Sequence, residues 1–234
     1  MLRVEQLSIA FRGIRALRDV SFDVEQGSIT ALIGPNGAGK TTVFNCISRI
    51  LTPGSGSLSF NGEDLLAKRA SSLAELGIAR TFQHAALFSS LNVRDNIRVG
   101  ADVARKTSRS GPTTDEALEL LELTDVATRS TDGLPLGTKK RIEIARALAS
   151  RPSMLLLDEP AGGLTHEEVE SMRTMLIRVK EALGLTVLLV EHHVQMVMTM
   201  SDHIVVMSSG EMIADGEPAT VQADPRVIRA YLGS

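Results

Sequence analysis

The sequence predicts an α/β fold built on a parallel sheet and interrupted by a helical insertion. Three observations carry the prediction. Short apolar runs alternate with amphipathic stretches in strand–loop–helix–strand order; a glycine-rich loop sits between one such run and a helical stretch; and the segment from about His84 to Arg151 is helical in pattern. In order, Leu2–Ala10, Val20–Glu25 and Ile29–Ile33 alternate or run apolar, with Gly27 marking a turn. Thr41–Ile50 reads as a helix, Pro53–Gly56 as a turn and Ser57–Asn61 as a strand. Val93–Val99, Thr114–Leu123 and Lys139–Ser150 are helical, with a polar break at Lys106–Pro112. The strands Ser153–Leu157 and Thr186–Val190 follow, separated by the amphipathic helix Glu167–Leu183. There is no internal repeat.

Composition narrows the function classes. The 234 residues are 43% hydrophobic and 23% charged, which is ordinary globular stock and enough chain for a real core. No apolar run exceeds four residues, whereas a membrane-spanning helix needs about 20. Met1–Phe11 lacks the apolar stretch of a secretory signal. One cysteine excludes an internal disulfide and fits a reducing compartment. A net charge of −3 leaves no electrostatic footprint for nucleic acid. Aromatics are scarce, with no Trp, one Tyr and six Phe.

The run Gly34-Pro-Asn-Gly-Ala-Gly39-Lys40-Thr41-Thr42 satisfies G-x-x-x-x-G-K-[ST] in the required context, after a strand and before a helix. Gly34, Gly37 and Gly39 let the backbone curl so that N–H groups, including those of Asn36 and Ala38, face phosphate oxygens. The helix N-terminus favours the same anion. Lys40 adds a point charge, and the Thr41 hydroxyl can ligate Mg²⁺. Downstream, Met154–Leu157 ends in Asp158-Glu159, at the strand edge where α/β folds bind ligands. Asp158 is placed to support Mg²⁺, and Glu159 to polarise an attacking water.

Together with Gly77–His84, Glu143–Leu148, Asp158–Leu164, Glu191–His193 and Val227–Leu232, these motifs resemble the ATPase subunits of ATP-binding cassette (ABC) transporters. Within that superfamily they look most like the LivG-type subunits of branched-chain (hydrophobic) amino acid importers. The resemblance spans essentially the whole chain. It implies a P-loop NTPase with a RecA-like parallel core over 1–83 and 152–234, an N-terminal antiparallel β subdomain, and a helical subdomain over 84–151. It further implies ATP and Mg²⁺ as ligands, a second ATPase subunit, integral membrane permease subunits, and indirectly an external solute-binding protein. The location implied is the cytoplasmic face of the membrane. Residue by residue, Gln83 matches the Q-loop that contacts Mg²⁺ or water. His192 matches the switch histidine at the γ-phosphate. Phe11 falls where the family stacks an aromatic on adenine, the alternative being a plain core phenylalanine. Two other readings stay open: a permease-free ABC ATPase of the iron–sulfur assembly type, and an importer of urea, amides or another small solute.

The family's signature Leu-Ser-Gly-Gly-Gln is here Leu134-Pro135-Leu136-Gly137-Thr138. Gly137 keeps the position that lets backbone approach a phosphate on the opposing subunit. Pro135 removes a hydroxyl and an N–H, so a weakened half-site is expected. The basic run Lys139-Lys140-Arg141 that follows serves an anion or partner, or is a solvated face. Thr165 replaces the Asp or Asn that the family commonly has at the end of its D-loop and can instead cap a helix in a box with Glu168. Cys46, Met196, Met198 and Met200 read as packing, and His166 and His193 as polar surface.

Overall fold

In the computed structural model, residues 1–82, 86–105 and 109–232 are described. The strands in chain order are β1 Leu2–Phe11, β2 Ile14–Val24, β3 Ile29–Ile33, β4 Ser55–Phe60, β5 Glu63–Asp64, β6 Ile78–Arg80, β7 Met154–Asp158, β8 Thr186–Val190, β9 His203–Ser208 and β10 Glu211–Gly216. The α-helices are α1 Lys40–Ile47, α2 Leu73–Leu76, α3 Val93–Ala104, α4 Thr114–Leu120, α5 Leu136–Ala149, α6 His166–Leu183, α7 Val194–Met200, α8 Pro218–Ala223 and α9 Pro225–Leu232. The chain divides into two compact units, Met1–Ser72 with Thr186–Ser234, and Leu73–Leu185.

The first unit begins with an antiparallel sheet in the order β2-β1-β4-β5. In β1 the buried positions are Leu2 and Val4, then Leu7 and Ile9. That change of phase demands an extra residue, and the pairing with β2 shifts register between Val4 and Leu7, with Gln6 at φ 49°. Strand β2 starts six residues earlier than the sequence pattern predicts, because before Val20 it buries only Leu17 and shows no regular alternation. The same unit holds β3, buried at all five positions and parallel to both β8 and β9. Strands buried at every position, such as β3 and β8, belong in a parallel sheet covered on both faces. Strand β10 closes that side antiparallel to β9.

In the second unit β6 runs parallel to β7. Helix α6 turns Val169, Met172, Met175, Leu176 and Val179 inward. Each apolar side chain so buried contributes about 1.5–3 kcal/mol. The helix opens on the capping box expected of Thr165 and Glu168 and closes at Gly184, φ 61°. Helix α4 opens on a second box, Thr113 with Glu116. Helices α3 and α5 meet at Gly100, where a Cβ would lie 1.9 Å from the Arg146 carbonyl oxygen. Only glycine allows that approach. Asn96, fully buried on α3, is satisfied by Phe88 N–H and by carbonyls including that of Phe88.

Candidate functional site

In the first unit, β3 delivers the chain into the glycine loop and α1 leaves it at Lys40. The loop's shape is enforced by close contacts. A Cβ on Gly34, φ 148°, would lie 2.1 Å from the Met207 carbonyl oxygen. One on Gly39, φ 103°, would lie 2.8 Å from Leu17 Cδ2 and 2.9 Å from the Ala16 carbonyl oxygen. Lys40 is buried, its Nζ donating to the carbonyls of Gly34 at 2.6 Å and Pro35 at 2.9 Å. Asn36, Gly37 and Thr41 are exposed, Thr42 is half-buried and Ala38 is buried. Gly210 N–H donates to the Ala38 carbonyl at 3.0 Å, tying the loop to the β9–β10 turn.

Two further features of this unit were missed in the sequence. The Gly34 N–H hydrogen-bonds to the phenol oxygen of Tyr231, the only tyrosine, carried on α9; burial pushes that phenol's pKa up. Glu191 is fully buried after β8, and its Oε2 accepts the N–H groups of His192 at 2.9 Å and His193 at 3.3 Å. A buried carboxylate therefore shapes the turn that presents His192, whose ring is exposed and 4.6 Å from that of His193. Phe11 is 43% exposed at the end of β1, so the plain core alternative is excluded.

In the second unit β7 ends at Asp158. Its Oδ2 accepts from Arg80 Nη2 at 2.8 Å, with the two side chains only 4% and 9% exposed. Glu159 follows with φ 50°, an unfavourable left-handed conformation for a residue with a Cβ. Lys140 Nζ donates to the Glu159 carbonyl at 2.6 Å and holds that backbone in place. Lys140 is 7% exposed, so this lysine is neither a solvated face nor a partner contact, correcting that expectation for Lys140. Arg141 is likewise engaged, with Glu122 at 2.7 Å and Ser171 at 2.8 Å.

Helix α5 starts three residues earlier than its pattern predicts, so Leu136 and Gly137 are in its first turn. Pro135 is the N-cap and offers no side-chain cap bond. Gly137 is buried, and a Cβ there would meet Glu168 Oε1 at 3.3 Å. Glu143 on the same helix accepts the Phe82 N–H at 2.9 Å, and burial pushes its carboxyl pKa up. Gln83 lies outside the described residues.

A parallel strand running into a glycine loop that ends on lysine, and another ending in adjacent carboxylates, define a phosphate-loop nucleotide hydrolase. A family model described as ABC transporter matches residues 17–162, and one described as branched-chain amino acid ATP-binding cassette transporter matches 211–234. The chain belongs to the ABC transporter family and is one of its ATPases. It is 36% identical to the high-affinity branched-chain amino acid transport ATP-binding protein BraF of Pseudomonas aeruginosa, over 100% of this chain and 98% of that protein. It is 35% identical, over the same shares, to the corresponding protein LivG of Escherichia coli. A solved ATP-binding cassette of an ABC transporter in its ADP conformation superposes with a TM-score of 0.89 at 31% identity, covering 100% of this chain and 99% of that one. A nucleotide-free cassette gives 0.87 at 31%.

Proposed function

We propose that this ATPase powers an importer of branched-chain or other hydrophobic amino acids. The observation that carries the reading is likeness over the whole chain to BraF and LivG, extended through 211–234, the segment matching the branched-chain cassette model. It favours this solute class over the urea or amide alternative, and a permease-coupled role over the iron–sulfur assembly alternative.

In this reading Gly34, Asn36, Gly37, Ala38, Gly39, Lys40, Thr41 and Thr42 hold the triphosphate of ATP, and Phe11 stacks on adenine. Lys40 exchanges its loop carbonyls for phosphate oxygens, which as anions accept a stronger hydrogen bond. Thr41, Asp158 and Gln83 offer the hard oxygen donors that suit Mg²⁺, which would neutralise charge on the phosphates. Glu159, fixed by Lys140, polarises the attacking water, and His192 is turned to the γ-phosphate by Glu191. Two ATPase chains close head-to-tail, Gly137 of one meeting the nucleotide of the other. The region around Gln83 passes the motion to membrane permease subunits at the cytoplasmic face, and an external binding protein delivers the solute.

Glu159→Gln keeps the shape and removes the base, so it should bind ATP, hydrolyse it poorly and accumulate as a closed dimer on gel filtration. Near-normal turnover would refute the assignment. Reconstitution with the permease subunits reads the solute directly: a leucine-loaded binding protein should stimulate turnover and a urea-loaded one should not.

A further inference from the structure

The first unit contains a cavity of about 590 Å³ that the nucleotide chemistry does not use. Its walls are β1 and β2 on one side and β3, β9 and β10 on the other. Six carboxylates line it, Glu5, Asp23, Glu25, Asp202, Asp215 and Glu217, against one guanidinium, Arg3, and the imidazole of His203. Arg3 is already engaged, 3.2 Å from Asp23 and 4.0 Å from Glu5. His203 is paired with Asp215. Glu25 and Glu217 have no ion-pair partner among the described residues, so the lining keeps a surplus of negative charge.

A second, independent feature points to a ligand. Thr30, the second residue of β3, lines the same cavity, is 1% exposed, and its hydroxyl has no hydrogen-bond partner among the described residues. Burying a hydroxyl unpaired is unfavourable, and such groups are ordinarily satisfied. Thr30 pairs in register with His203, and Asp215 lies opposite Val205, two residues along β9. In-register and alternate positions share a sheet face, so the hydroxyl stands on the face that carries the cavity's imidazole and one of its carboxylates. The carboxylates are exposed at the rim and the hydroxyl is deep.

We infer that this cavity binds a small linear organic cation with two or three ammonium groups. Its volume falls within the 300–1,000 Å³ or so usual for small-ligand pockets. The charge is spread along the walls and does not converge. Among the described residues the one group of histidine, cysteine and carboxylate ligands close enough together to hold a metal ion is Glu191, His192 and His193, outside this cavity. An extended cation matches spread carboxylates; a point cation does not. One ammonium donates to Thr30 Oγ1 at depth, and the others meet Glu25 and Glu217 at the rim.

The test is calorimetric titration of the full chain with spermidine at fixed ionic strength. Saturable one-to-one binding is expected. Thr30→Val should weaken it about tenfold, the effect of losing one charge-assisted hydrogen bond, and separately Glu25→Gln with Glu217→Gln, which loses two, about a hundredfold. Absence of saturable binding, or binding unchanged in both variants, would overturn the proposal. So would one-for-one displacement of spermidine by CaCl₂ at matched ionic strength, which would make the cavity a metal site. If Thr30→Val does not fold, the exposed Glu25 and Glu217 pair decides alone.

Discussion

Replacing Arg80 by methionine should lower folding stability by about 3–5 kcal/mol, the usual effect of leaving a buried charge without its partner. The Arg80–Asp158 pair is 2.8 Å long, and neither side chain is more than 9% exposed. Water therefore cannot replace the guanidinium. Arg80 also lies over the Phe82 ring, 5.2 Å from its centroid, a contact worth about 0.5–1 kcal/mol. For a domain of this length each kcal/mol moves the thermal midpoint by about 2–4 °C, so a shift of about 10 °C is expected. Urea and thermal unfolding of the full chain measure it, together with Asp158→Asn and the double variant. Asp158→Asn alone leaves Arg80 charged and buried, so it too should destabilise. The double variant leaves neither charge, and its loss should fall short of the sum by about 1–3 kcal/mol. Additive losses, or a loss below about 1 kcal/mol for Arg80→Met, would refute the reasoning, because a pair worth that little matches an exposed one. Mg²⁺ with ATP should return more stability to Arg80→Met than to the wild type, since the metal gives Asp158 another positive partner. An equal gain in both would remove Asp158 from the metal site.

Gly100→Ala places a Cβ 1.9 Å from the Arg146 carbonyl oxygen, so α3 and α5 must part; a loss of about 1–3 kcal/mol in urea unfolding is expected, and an unchanged midpoint would contradict the close approach. Pro135→Ser gives α5 the side-chain cap it lacks, worth about 1 kcal/mol, and restores the family's hydroxyl. Turnover should rise with it, and a gain in stability without a change in ATP-driven dimerisation or turnover would dispose of the weakened half-site. Cys46 is buried and its thiol is pushed up to about 11, so at pH 8 iodoacetamide should label it slowly in the native chain and rapidly in urea; fast native labelling would show that α1 opens.

What the sequence made legible was whatever is local. The loop from Gly34 to Thr42 is contiguous, and its glycines are required by the turn they make, so residue type and spacing display both its shape and its chemistry. Strand β8 was legible to the residue because Thr186 leads into the apolar run Val187–Val190 and Glu191 ends it. Among the boundaries that moved are the starts of β2 and α5, whose first residues are exposed or follow a proline and carry no periodic signal. The ends of three helices moved too: α3 runs five residues past Val99, while α1 and α4 each stop three residues short of the predicted Ile50 and Leu123. Hidden altogether were the groups that hold the motif residues in place. Arg80 reaches Asp158 across 78 residues of chain and Lys140 reaches the Glu159 carbonyl across 19, while Tyr231 meets Gly34 from the far end of the chain. A cation read from sequence looks like surface, and nothing local distinguishes Lys140, which is buried, from its neighbour Lys139.

The same reasoning explains why Glu159 could be picked out as a reacting group while its backbone strain could not. A carboxylate after an apolar strand is a sequence pattern, but a φ of 50° is a property of what surrounds it. That conformation is disfavoured by about 1 kcal/mol or more for a residue with a Cβ. Two donors hold the Glu159 carbonyl here, a buried ammonium on α5 at 2.6 Å and the Gly162 N–H at 3.1 Å. The helix carrying that ammonium also begins with Pro135 and Gly137, the altered signature. The residue assigned to activate water and the segment assigned to the opposing nucleotide are thus joined through one rigid element, α5, within one unit. A change at the signature can therefore reach Glu159 through a lysine that no motif names.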